Sequence, residues 1–143
     1  MATKESIGTK ERSPLRMYNS HGRLRKVLLC AADYFEELPI SEIAQHSMDD
    51  GDKVDRELSK KMHAELADAL RSADVELLWE TPGEGHRWQV YTRDFGINTP
   101  AGALIGKFKY EQRWGDEEYA IEALTKAGVD IAGRVSVGAV EGG

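Results

Sequence analysis

Between two short apolar runs, LRKVLLC at 24–30 and VELLWE at 75–80, the chain carries a long stretch of helical spacing. Val54, Leu58, Met62, Leu66 and Leu70 recur every four residues, with Ala69 and Ala73 beside them. That recurrence lays one apolar stripe along an otherwise charged surface and predicts a helix over 53–73. Strand, helix, strand is followed by a second passage of the same kind. WQVYTR at 88–93 and AGALIGKF at 101–108 read as strands joined by the FGINTP turn. The segment 116–127 reads as a helix with an acidic first turn of Asp116, Glu117 and Glu118, which suits the positive end of the helix dipole. Gly128 is its natural C′ residue. The valines of GRVSVGAVEGG at 133–143 predict a final strand. Two mixed α/β units thus follow one another, without repetition of the sequence itself.

The connecting segments are expected to be loops. A helical turn is predicted at 40–45 after Pro39, and the DDGD stretch marks a helix start with Asp52 as N-cap. TPGEGHR at 81–87 is a loop with two glycines and a proline. Arg113, Trp114 and Gly115 lie in another. Residues 1–23 are polar and read as a flexible or draped arm, with 24–143 as the folded unit.

With 143 residues the chain is long enough for one domain with a real core. Its net charge of −6 argues against a nucleic-acid partner, which requires a concentrated basic face. Arg23, Arg25 and Lys26 are the longest basic run and read as the flank of the first strand. One cysteine, Cys30, permits no internal disulfide. No stretch approaches the roughly 18 apolar residues of a membrane span. The first residues lack the apolar segment of a signal peptide. The expectation is a cytoplasmic protein with no membrane partner.

The chemistry centres on Asp94, which follows Arg93 at the expected end of a strand. A carboxylate anchored there suits a planar guanidinium or amidinium through paired hydrogen bonds. A turn aspartate capping the FGIN loop is the alternative. Cys30, in an apolar context, reads as a buried structural thiol. His21, His46, His63 and His86 show no ligand spacing. His86, in the glycine-rich loop, is a candidate gate for substrate. His46, Asp49, Asp50 and Asp52 lack the length and distal glutamate of a calcium loop and read as helix-capping residues. No metal or cofactor is expected.

Taken in order, TRDFGINTPAGALIG, RWGDE and the terminal VEGG resemble motifs of the guanidine-modifying (pentein) superfamily. That group includes arginine deiminases, dimethylarginine dimethylaminohydrolases and amidinotransferases. The first is similar to its Arg-Asp-Pro-Gly segment, the second to its Arg-x-Gly-Glu element and the third to the start of its Glu-Gly-Gly-Asp motif. VLLC resembles its opening strand. The resemblance spans 24–143. Phe95 departs from the pattern where proline is common, CAAD replaces the frequent Arg-Pro, and Asp116 is inserted between Gly115 and the glutamate of the second motif.

The resemblance implies an α/β propeller, of which this chain would supply about two of the five ββαβ units. It implies that Asp94 binds the substrate, that Glu141 is a second carboxylate touching substrate or orienting a histidine, and that Arg113 either anchors a substrate carboxylate or is structural. The superfamily's nucleophilic cysteine and proton-shuttling histidine would fall after VEGG. A second polypeptide carrying the rest of the propeller is therefore expected, with a cut from the same precursor after Gly143 as one origin, in a higher oligomer. The implied activity is a cysteine hydrolase attacking the central carbon of an N–C–N group. The substrate is a guanidino compound or a C2-substituted imidazole such as 2-nitroimidazole, with release of amine, ammonia or nitrite. An amidinotransferase and a non-catalytic assembly half-domain are the alternatives.

Overall fold

The structure is a computed structural model that describes residues 17, 19, 21–51 and 53–142. Strand β1 (Lys26–Cys30) pairs in parallel with β2 (Glu76–Glu80), Val27 opposite Leu77 and Cys30 opposite Glu80. Parallel neighbours need a long crossover. Here it holds two helices, α1 (Glu42–Asp49) and α2 (Arg56–Ser72). A second sheet has the order β3 (Gly96–Thr99), β4 (Gly102–Ile105), β5 (Ile131–Arg134). The first pair is an antiparallel hairpin; the second is parallel, with α3 (Asp116–Lys126) as its crossover.

The core lies where α3 meets the second sheet. Ala103, Ile105 and Leu124 are buried together, with Leu28, Phe95, Ile121 and Val129 packed against them. Leu28 belongs to β1, so this cluster also joins the two sheets. Gly102, at φ +129°, lies so close to the Asp130 carbonyl that a β-carbon there would collide with it. A side chain at this position would push β4 off its turn.

Local signals account for the helix starts. Ser41 accepts from the Ala44 amide at 3.1 Å and caps α1. Asp55 accepts from the Leu58 amide at 2.9 Å and caps α2. Asp52, expected in that role, lies outside the described residues, as does most of the 1–23 arm. The His46, Asp49 and Asp50 group is not a loop. It lies within α1 and at its end, where Gln45 Nε2 donates to Asp49 Oδ1. Helix α3, its acidic first turn and Gly128 at φ +77° stand as expected.

Three expectations are corrected. The segment 88–93 is not a strand but a series of turns leading into a 3-10 turn at Thr92–Phe95. Its apolar alternation is real, but Gln89 points inward and takes over the polar groups a ladder would satisfy, as described below. The FGINTP segment is mostly strand β3, and only Pro100 and Ala101 turn; Thr99 Oγ1 closes that turn by donating to the Gly102 carbonyl. The last strand is Ile131–Arg134, earlier than the valine pattern suggests. Beyond it the chain bends at Gly138 (φ +78°) and returns to pair Val140 with Lys107.

Helix α2 also sits differently from its pattern. It approaches the sheet through Ala67, and His63 meets the edge of Trp79. A two-stranded sheet covers only a narrow strip of a helix. Leu58, Met62 and Leu66 are left 51%, 60% and 51% exposed.

Ile105→Ala removes a fully buried side chain from the junction of the two sheets and is expected to cost about 2–5 kcal/mol. Urea unfolding measures this; a loss below about 1 kcal/mol would mean that the junction is not the core.

Candidate substrate-binding site

The short turn Glu111–Arg113 is followed by Trp114 and by Gly115 at φ +95°, and α3 starts at Asp116. This sharp entry, which favours glycine, puts Arg113 and Asp116 side by side under the 92–95 turn. Both are buried, at 4% and 3% exposure.

Arg113 is enclosed by protein groups. Its Nη1 donates to Asp94 Oδ2 at 2.6 Å, its Nε to Asp116 Oδ2 at 3.1 Å and its Nη2 to the Trp88 carbonyl at 3.2 Å. The Phe108 ring lies under the guanidinium, 4.0 Å from Cζ to centroid. Of the two readings open for Arg113, this is the geometry of an arginine that organises its neighbours. Asp94 stays partly open, its side chain 26% exposed against 4% for that of Arg113.

Asp116 reaches further. Its Oδ1 lies 2.6 Å from Nδ1 of His86, whose ring packs edge-on against Tyr119. A continuous chain therefore runs from His86 through Asp116 and Arg113 to Asp94. His86 and Asp116 were not legible as partners. One sits in a glycine-rich loop, and the other looked like an ordinary acidic helix start.

Glu141 arrives by the returning C-terminal segment. Val140 and Lys107 exchange backbone hydrogen bonds, the Lys109 amide donates to Glu141 Oε1 at 3.1 Å, and the Gly142 amide donates to the Asp94 carbonyl at 3.0 Å. Gly142 packs so tightly against the carbonyls of Gly96 and Arg93 that no β-carbon fits. Glu141 is thus one residue from a backbone contact with Asp94, and its own side chain is exposed.

Behind this layer lies a second polar cluster that the sequence did not announce. Gln89 Nε2 donates to Glu80 Oε2 at 2.9 Å and to the Thr81 carbonyl, while its Oε1 accepts from the Gly83 amide at 2.8 Å. Burial pushes the Glu80 carboxyl up to about 7, with the Gln89 hydrogen bond opposing the shift and Asp116 adding to it. Burial likewise pushes the Cys30 thiol up to about 12, with Glu80 and Asp116 adding to it. A thiol held neutral in this way is a poor nucleophile, in keeping with a structural Cys30. No group of three or more His, Cys, Asp or Glu side chains converges as a metal site among the described residues.

Solved structures of low sequence identity share this arrangement of elements. AgrE in complex with L-arginine superposes with a TM-score of 0.70 at 18% identity, over 83% of this chain and 17% of that one. A dimethylarginine dimethylaminohydrolase variant, as its adduct with S-methyl-L-thiocitrulline, gives 0.67 at 22% identity, over 85% and 46%. The chain has the fold of the guanidine-modifying enzymes. The N-terminal domain of ArgZ, an arginine dihydrolase, bound to product gives 0.64 at 16% identity, over 78% and 40%. Among curated proteins, the uncharacterized YkgA of Bacillus subtilis (strain 168) is 29% identical over 124 residues, 86% of this chain. The chain spans 42% of the length of that relative. No family model matches. No helix among the described residues is long and apolar enough to cross a membrane.

Glu80 gives the folded protein a pH dependence of definite sign. Its folded pKa lies above the unfolded value, so the folded state holds the proton more tightly. The contribution of this group is most favourable at low pH and is lost as pH rises from about 4.5 to about 7. Glu80→Gln should flatten that slope and stabilise the protein at pH 8 by on the order of 1–3 kcal/mol. Denaturant titrations across this range decide it; an unchanged slope would place the Glu80 proton elsewhere.

Proposed function

We propose that Asp94 and Glu141 are the paired carboxylates of a cysteine hydrolase that acts on the central carbon of a guanidine-like N–C–N group. The observation that carries this reading is the hydrogen bond from the Gly142 amide to the Asp94 carbonyl, which seats Glu141 beside the Asp94 turn. Two carboxylates that converge on a planar cation hold it by charge-assisted hydrogen bonds and fix its plane for attack. Arg113 sets the direction of Asp94.

A thiolate attacks the central carbon, the leaving nitrogen departs with a proton from a histidine, and water releases the covalent intermediate. Cys30 does not suit that role, because it is buried and its thiol is held protonated. In this reading the nucleophile and the shuttle lie outside the residues described here, in the remainder of the propeller. Support comes from the exposed stripe of Leu58, Met62 and Leu66, which sits beside the packed face of α2 as a helix does before its neighbour is added. Support also comes from the share of each solved chain that the fold matches.

Asp94→Asn in the assembled protein should lower kcat/KM by about 100-fold or more while leaving assembly intact. The assay screens guanidino compounds and nitro- or amino-imidazoles for released ammonia, amine and nitrite. Retained turnover would remove Asp94 from the site.

A further inference from the structure

Asp116 is the residue that interrupts the Arg-x-Gly-Glu resemblance, and the fold buries it at the centre of the charged chain. One oxygen faces His86 and the other holds Arg113, while the exposed end of the cluster is Asp94. We propose that Asp116 is the positioning and charge-balancing residue of the site: it neutralises Arg113, so that Asp94 keeps a net negative charge for a planar cationic substrate. The inference rests on the reading of Asp94 given above.

The charges lead there directly. Arg113 alone against Asp94 would make a closed, neutral pair, and an incoming guanidinium would have to compete with an arginine already in place. With His86 neutral, a second carboxylate on the same guanidinium leaves the cluster with a surplus negative charge. That surplus is reachable from solvent at Asp94, because the side chains of Arg113 and Asp116 are each 4% exposed. In so buried a setting an uncompensated charge interacts strongly with whatever approaches. Geometry adds to the effect. Arg113 is gripped at Nε by Asp116 and at Nη2 by the Trp88 carbonyl, with Phe108 beneath its plane, so Nη1 has one direction in which to point. Asp94 Oδ2 is thereby fixed, and among the described residues no hydrogen bond engages Oδ1.

The loop glycines serve the same end. A β-carbon at Gly83 would collide with Tyr119 and His86, and one at Gly115 would crowd His86 at 3.3 Å. Both glycines make room for the imidazole that holds Asp116 in line.

The test uses binding of methylguanidinium and of its neutral counterpart methylurea to the assembled protein, by titration calorimetry, alongside steady-state kinetics. Asp116→Asn is expected to weaken methylguanidinium binding by about 10-fold or more, with little effect on methylurea. KM should rise more than kcat falls. Asp116→Glu, which keeps the charge, should recover most of the affinity. Equal losses for the two probes would make Asp116 merely structural and overturn the proposal, as would unchanged methylguanidinium binding. Should Asp116→Asn fail to fold, Asp116→Glu carries the test: it keeps the carboxylate charge and should hold methylguanidinium affinity within about 3-fold, and a 10-fold loss overturns the proposal. Asp94→Asn separates the two readings. If it leaves methylguanidinium binding intact, or the unaltered protein does not bind, the Asp94 reading falls and this inference with it.

Discussion

A buried guanidinium, that of Arg113, ties this part of the molecule together. Removing such a group from water costs several kcal/mol, offset only when its hydrogen bonds are met and its charge is opposed. Here Asp94, Asp116 and the Trp88 carbonyl meet them, and each comes from a different part of the chain. The arginine consequently fixes the 92–95 turn, the entry to α3 and the end of the 83–90 loop against one another. Leu28, Ile105 and Leu124 supply apolar stabilisation next to it. Hydrophobic packing is non-directional, and it would not by itself set the direction of a carboxylate. The polar cluster does that.

Much of the scaffold was legible because its signals are local. The apolar runs predicted β1 and β2, and the acidic turn with Gly128 predicted α3 to within a residue. Failures arose where a side chain did the work of backbone. Trp88, Val90 and Thr92 alternate as in a strand, but Gln89 meets the polar groups of Glu80, Thr81 and Gly83 and holds the segment in turns. The stripe on α2 was read correctly as a stripe and not as to what it faces, since periodicity reports the existence of an apolar face and not its neighbour.

For the site, the order of Asp94, Arg113 and Glu141 was legible through the resemblance, and their shared neighbourhood follows from the return of the chain past Gly138. Asp116 was visible only as a favourable charge at a helix start. Nothing in its local sequence distinguishes a solvated first-turn aspartate from one buried on an arginine. His86 was noted in its loop, but its partner lies 30 residues away, beyond the reach of any local pattern.

The most direct measurement is a crystal structure of the complete protein soaked with guanidinium. The cation should lie in plane with the Asp94 carboxylate, with Glu141 turned from the Lys109 amide to its other side and Arg113 unmoved on Asp116. A guanidinium bound elsewhere while Asp94 remains accessible, or one that displaces Arg113 from its partners, would contradict the proposed clamp.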